Sequence, residues 1–196
     1  TAMACGVKTK NEMMGMGPDD TWYASILKVL SEKGWRTGLA VTSTITHATP
    51  GAFASHVIDR DTEDIIAEQM LGHRVDVLFG GGRQFWLPKD QKKSKRKDDK
   101  NLIEAAERMG YTVIESRDQM LNLKPGPVLG LFALEAMTTY APEPMLPEMA
   151  RKAIELLGAK SCEWFAPEPK FFLMVEGSQI DWAGHDGDTP NSLRQT

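Results

Sequence analysis

The sequence predicts an α/β fold, a mostly parallel sheet covered by helices on both faces. Three observations predict it. Short apolar runs of strand length recur along the chain, these runs are continuous instead of alternating, and segments with apolar residues at helical spacing stand between them. A strand that is apolar on both sides needs cover on both sides, and intervening helices supply it as right-handed crossovers. With 196 residues, 41% hydrophobic and 26% charged, there is enough apolar material for one well-buried core but hardly for two. That composition excludes disorder.

The chain opens on Thr1-Ala2-Met3-Ala4, which reads as a helix already under way and hence as part of a longer polypeptide. Thr21 to Lys33 places Trp22, Ile26, Leu27, Val29 and Leu30 close to one helical stripe, with Pro18-Asp19-Asp20 as its start and Gly34 as its stop. Thr37 to Val41 reads as a strand, Asp61 to Leu71 as a helix ended by Gly72, and Val75 to Phe79 as a strand closed by Gly80-Gly81-Gly82. Asn101 to Met109 is a predicted helix stopped by Gly110, followed by predicted strands over Tyr111 to Glu115 and Val128 to Phe132. Pro147 to Leu157 is the next helix, stopped by Gly158, and Phe171 to Val175 the last strand. Lys89 to Lys100 holds seven basic and three acidic residues and no apolar one. Such a segment buries nothing and is expected to be a mobile surface loop.

Charge and length exclude some functions. Lys and Arg number 23 against 27 Asp and Glu, a formal charge of −4, which argues against a dedicated nucleic-acid binder. No apolar run approaches the ~18 residues that a membrane-spanning helix needs; Phe171 to Val175 is too short, and Glu135 interrupts Val128 to Met137. Two cysteines, Cys5 and Cys162, exclude a disulfide framework and leave a single bridge open. The eleven methionines, with Met13, Met14 and Met16 clustered, read as core filling.

Ligands of parallel sheets gather beyond the carboxyl ends of the strands. Three stretches qualify: Thr42 to Thr49, Gly80 to Arg83, and Glu176 to His185. In the last of them Asp181 and His185 are four residues apart, so a helical turn puts carboxylate and imidazole on one face as a partial shell for Zn²⁺. Glu176, at the strand end, is expected to face a second ion or the surroundings of the first; the alternative is that Glu176 and Asp181 merely cap backbone N–H groups and His185 is simply exposed. In the first stretch an extended backbone points His47 and Thr49 the same way, toward one ion or its waters. Pro50 then opens a helix that Thr49 could equally cap. Arg60, about three helical turns on, carries the planar guanidinium best suited to a pair of phosphate oxygens, although Asp59 and Asp61 could hold it in a surface ion pair. Gly80-Gly81-Gly82-Arg83 lacks the spacing of a nucleotide motif and reads first as a tight turn.

Four blocks, in order, resemble the middle of an alkaline phosphatase. They are Thr1-Ala2-Met3-Ala4-Cys5-Gly6-Val7-Lys8-Thr9; Thr46-His47-Ala48-Thr49-Pro50 with His56 and Arg60; Val77-Leu78-Phe79-Gly80-Gly81-Gly82; and Val175-Glu176-Gly177-Ser178-Gln179-Ile180-Asp181 with His185. The resemblance covers nearly the whole chain. It implies an alkaline-phosphatase-like three-layer sandwich whose central sheet is incomplete in this chain, residues 1–196 being the central part of a single catalytic domain with 89–100 as a charged loop inside it. The implied reaction is hydrolysis of phosphate monoesters through a phosphoserine intermediate, with Zn²⁺ and Mg²⁺ as cofactors.

By the same resemblance, Asp181 and His185 match zinc ligands, Glu176 and Thr49 match magnesium ligands, and Arg60 matches the clamp on the non-bridging phosphate oxygens. His47 stands where members carry aspartate or histidine, and Trp182 where others carry lysine or histidine; this His-Trp pairing is similar to that of marine and cold-adapted bacterial enzymes. The nucleophilic serine is expected five residues before Thr1 and the remaining zinc ligands beyond Thr196, so the chain alone is expected to be inactive. Phosphate monoesters and inorganic phosphate are the implied ligands, a homodimer the implied assembly, and the periplasm, the exterior or a lumenal or vacuolar space the implied location. A non-catalytic module binding metal and phosphate, or a related sulfatase or phosphodiesterase, are the competing readings.

Overall fold

The five predicted apolar runs are the five strands of one sheet, β1 (Arg36–Thr44), β2 (Val77–Gly81), β3 (Thr112–Ile114), β4 (Val128–Leu131) and β5 (Phe171–Glu176). The structure, a computed structural model, describes residues 1–160 and 168–195. Cys162, and with it any bridge to Cys5, lies outside them; among the described residues the partly buried Cys5 Sγ donates to Tyr23 O. The strand order is β3-β4-β2-β1-β5 and every neighbouring pair is parallel. Helices α1 (Ala2–Cys5) and α2 (Ile26–Glu32) precede β1, α3 (Ala48–Ala54), α4 (Glu63–Gly72), α5 (Leu102–Arg108), α6 (Arg117–Leu121) and α7 (Leu146–Leu157) stand between the strands, and α8 (Ser178–His185) and α9 (Thr189–Gln195) follow β5.

Period-two geometry sends successive strand residues to opposite faces, and both faces are apolar. On one, Leu39, Val41, Leu78, Leu129 and Leu131 pack with Leu27, Phe53, Ile66, Met70 and Ala106 of α2 to α5. On the other, Ala40, Val77, Phe79 and Val128 pack with Met120 of α6 and Met149, Ala153 and Leu157 of α7. Each large side chain buried this way contributes about 1.5–3 kcal/mol. The sandwich therefore has three layers. Met13, Met14 and Met16 are buried, as expected of core filling. Among the described residues no helix is long and apolar enough to cross a membrane.

Polar side chains set several helix starts. Ser116 accepts from Gln119 N while Gln119 Oε1 accepts from Ser116 N, a reciprocal capping box on α6. Ser116→Ala is expected to lower stability by about 1 kcal/mol, read as a lower urea midpoint at unchanged slope. The α2 helix begins at Ile26 and not at Thr21, because Ser25 caps it by accepting from Lys28 N at 3.1 Å while donating to Phe53 O at 2.5 Å. Trp22 is instead bridged to Met16 and stacked on the His56 ring, centroids 4.9 Å apart.

Three further expectations are corrected. The first strand continues past Val41 through Thr42, Ser43 and Thr44, all buried; β-branched threonines suit a strand even where they lack apolar character. The basic segment 89–100 is not free of buried groups: the Arg96 side chain is 1% exposed. Its guanidinium is bidentate to Asp98 and also donates to Asp64 O and Phe85 O, which pins the segment to α4. Gly80-Gly81-Gly82 is not a simple turn either. Gly80 and Gly81 finish β2, and residues 133–135 cross so closely that Gly82 N, Arg83 N and Gln84 N donate to Glu135 O, Ala133 O and Leu134 O. No N–H of those three remains for a phosphate.

His73, just past the end of α4, is half-buried with its ring centroid 6.0 Å from that of His56. Burial first, then the charges of His56 and Lys28, hold its pKa below the ordinary 6.5, with Glu32 opposing. The unfolded chain thus binds a proton that the folded chain resists. Its contribution to stability is whole above the unfolded pKa and is lost as pH falls through the depressed one. The thermal midpoint is expected to drop between about pH 7 and about pH 5, and His73→Gln to flatten that drop; superimposable pH profiles would assign it elsewhere.

Candidate functional site

Strands β1 and β5 are parallel neighbours, with Val41 paired to Glu176, so their carboxyl ends open on the same edge of the sheet. The segment beyond each end is polar. After β1 the chain turns through Ile45 and Thr46, and α3 begins with His47 in the capping position. After β5 a single residue, Gly177, separates Glu176 from α8. Two loops that are far apart in sequence are thereby placed side by side.

Thr49 Oγ1 donates to Glu176 Oε1 at 2.7 Å. The second carboxylate oxygen, Oε2, is buried and has no partner among the described residues. A hydroxyl beside a carboxylate with one free lone-pair face is a hard-oxygen donor set, the kind that suits Mg²⁺. Thr49 is not the helix cap, and His47 and Thr49 do not share an extended segment: His47 is the capping residue, Thr49 the second residue of α3 and Pro50 the third. Proline fits there because N–H groups of the first turn lack helical partners in any case.

Arg60 is not three helical turns from Thr49. The α3 helix ends at Ala54, and the chain bends back so that Arg60 Nη2 lies 3.1 Å from His47 Nε2. Asp59 meanwhile turns its carboxylate to Asp61 N. Arginine offers only donors, so Nε2 is the acceptor and the ring proton sits on Nδ1, which is buried and has no partner among the described residues. The imidazole pKa is depressed by burial and by Arg60, while Glu63, Glu176 and Asp181 pull it upward less strongly. All four charges thus act on His47. Trp182 meets its ring edge-on, centroids 5.7 Å apart.

On α8, Asp181 Oδ1 and His185 Nε2 are 3.7 Å apart, one helical turn separating them as the spacing predicted. Both side chains are about three-quarters exposed. Among the described residues no third His, Cys, Asp or Glu completes a cluster with them; a carboxylate and an imidazole are two donors of the kind a tetrahedral Zn²⁺ site uses. The structure thus joins Thr49 with Glu176, and His47 with both Arg60 and Trp182, and places Asp181 and His185 along the helix that carries Trp182.

Two residues were not singled out from sequence. Glu63, in the first turn of α4, accepts hydroxyl hydrogens from both Thr44 and Thr46. Gln179 donates from Nε2 to Thr42 O and Met137 O, tying α8 to the end of β1. An acid three residues after an arginine, or a glutamine in a helix start, carries no pattern of its own; only the partners reveal them. His56, by contrast, packs away from this edge, bonded to Tyr23 O.

Comparison with known proteins places this architecture. The family model described as alkaline phosphatase matches residues 1–196. Alkaline phosphatase 3 of Bacillus subtilis is 38% identical over 205 residues, covering 100% of this chain and 41% of the relative. The crystal structure of Thermus thermophilus alkaline phosphatase superposes with a TM-score of 0.87 at 32% identity, covering 99% of this chain and 40% of that one. A mutant of the alkaline phosphatase from the Antarctic bacterium TAB5, described with Mg bound in its M3 site, gives a TM-score of 0.83 at 30% identity over 99% of this chain and 53% of that one. The chain spans between about two-fifths and one half of the length of the curated relatives it matches.

Proposed function

Because the chain belongs to the alkaline phosphatase family, we propose that it supplies the metal-holding and phosphate-clamping part of a catalytic domain that hydrolyses phosphate monoesters. The observation that carries this is the convergence, at the ends of β1 and β5, of a carboxylate oxygen left bare beside a hydroxyl with an arginine held by an imidazole. Glu176 and Thr49 would hold magnesium, and Asp181 and His185 would hold zinc. When bound, these cations supply Lewis-acid stabilisation of phosphoryl oxygens and acidify water.

The chain's own residues orient and neutralise. Arg60 presents a planar fork whose remaining N–H groups suit two non-bridging phosphate oxygens. His47 accepts one of its N–H bonds and so fixes the fork's direction without adding a negative charge that would repel phosphate. Trp182 stands edge-on to the imidazole and walls it on one side. The same reading carries a homodimer and a location outside the reducing cytoplasm, to be tested by sedimentation and cell fractionation.

The direct test is metal analysis and p-nitrophenyl phosphate turnover of the protein expressed from its full reading frame. Bound zinc and magnesium with turnover are expected; metal-free protein, or metal with no hydrolysis, rejects the reading. Chelation should abolish turnover, and readdition of both metals should restore it. Arg60→Ala should weaken inhibition by inorganic phosphate about tenfold or more, the loss of a charge-assisted bond worth about 1.5–3 kcal/mol. An unchanged inhibition constant would remove Arg60 from the phosphate site.

A further inference from the structure

Glu63 is not among the residues proposed to touch metal or phosphate, yet its carboxylate is placed unusually for a helix-start acid. A single oxygen, Oε2, accepts from Thr44 Oγ1 and from Thr46 Oγ1, both at 2.5 Å. Thr44 is the last residue of β1 and is 7% exposed; Thr46 lies in the following turn and is fully buried. The two hydroxyls bracket the bend immediately before His47. Beyond the bend, His47 N donates to Thr44 O at 3.0 Å and His47 O accepts from Gly51 N at 2.8 Å, so the direction in which α3 leaves the sheet depends on how that bend is held.

We propose that Glu63 is a positioning residue: its carboxylate locks the bend between β1 and α3, and through that bend sets the contacts of His47 with Arg60 and of Thr49 with Glu176. The geometry explains why an acceptor is required. Both hydroxyls are buried donors, neither has another acceptor among the described contacts, and a side chain unable to accept would leave them to seek partners by rotating or by moving the turn. Position on α4 makes the lock effective. Glu63 belongs to the helix that follows Arg60 by three residues, so one rigid element holds the arginine's segment and the histidine's segment in fixed relation. In the first turn of a helix the carboxylate is also favoured by the N-terminal partial charge.

This rests on the phosphate-binding reading of Arg60 and His47, and the experiment separates the two. In the protein expressed from its full reading frame, Glu63→Met keeps length but cannot accept, and Glu63→Gln keeps one acceptor oxygen. Glu63→Met is expected to raise the inhibition constant of inorganic phosphate at least tenfold, with KM rising in parallel, while Glu63→Gln stays within threefold of the parent. In histidine labelled with ¹⁵N, the His47 signal of the parent should show the proton on Nδ1; Glu63→Met should shift it toward the mixed tautomers of a free imidazole, and Glu63→Gln should not. Phosphate inhibition and a His47 signal both unaltered in Glu63→Met would overturn the proposal. So would a lowered melting temperature with phosphate inhibition unchanged per folded molecule. Should Glu63→Met not fold, Thr46→Val removes one of the two bonds and is expected to give an intermediate rise in the phosphate constant; no rise rejects the lock. If the parent protein neither hydrolyses p-nitrophenyl phosphate nor binds phosphate, the phosphatase reading fails, and the His47 signal still decides whether Glu63 holds the bend.

Discussion

Asp181→Ala is expected to lower p-nitrophenyl phosphate turnover of the full-length protein by roughly a thousandfold or more, since Lewis-acid stabilisation worth several kcal/mol disappears with the ion and each 1.36 kcal/mol is a factor of ten. Zinc content should fall with it. The melting temperature should hardly move, because the Asp181 side chain is 74% exposed and its one ionic contact among the described residues is the 3.7 Å approach to His185 on the same helix. His185→Ala should behave alike, and the double variant should be little worse than either single one, as expected when two residues act through one ion. Turnover and zinc both preserved in Asp181→Ala would take the aspartate out of the metal site. Turnover lost with zinc retained would give it another role.

Gly81→Ala carries the largest expected effect on the fold. A Cβ at this position would lie 2.1 Å from Glu135 O and 3.2 Å from backbone atoms of Ala136. Backbone cannot swing aside as a side chain can. The segment 133–136 would have to lift from the end of β2, and the bonds from Gly82 N to Glu135 O at 2.7 Å and from Arg83 N to Ala133 O at 3.1 Å would be lost with it. A cost of about 3 kcal/mol or more follows from overpacking and broken buried bonds, a large part of the 5–15 kcal/mol typical of a whole domain. For a chain of this size the melting temperature should fall by roughly 10 °C, or soluble protein should not be obtained. Gly72→Ala is the matched control: nothing lies within 4 Å of its Cβ and it ends a helix, so alanine there should be neutral or slightly stabilising. Equal midpoints for the two variants would show that the close crossing at Gly81 does not exist.

Asp181 and His185 were legible in the sequence because a helix converts a spacing of four into a shared face, a rule that needs no tertiary information. The close crossing at Gly81 was not, because a glycine triplet looks the same whether it turns in solvent or lies beneath another segment. The same holds at Thr49. Local rules offered its hydroxyl a capping role, but Glu176, 127 residues away, takes the bond instead. Arg96 shows the reverse error: a run of charges reads as solvated, although one long cation in it reaches past the surface to two backbone carbonyls.

The sequence by itself determined the fold class, the position of every strand, the carboxyl edge on which to look, and the pairing along α8, since these follow from periodicity and from the need to cover apolar faces. Only the tertiary structure decided which groups meet across that edge: Arg60 with His47, Thr49 with Glu176, Glu63 with two threonines. The physical reason is that local pattern fixes the direction of a side chain relative to its own element, whereas a contact between β1 and β5 depends on the order in which strands assemble, a property of the whole sheet.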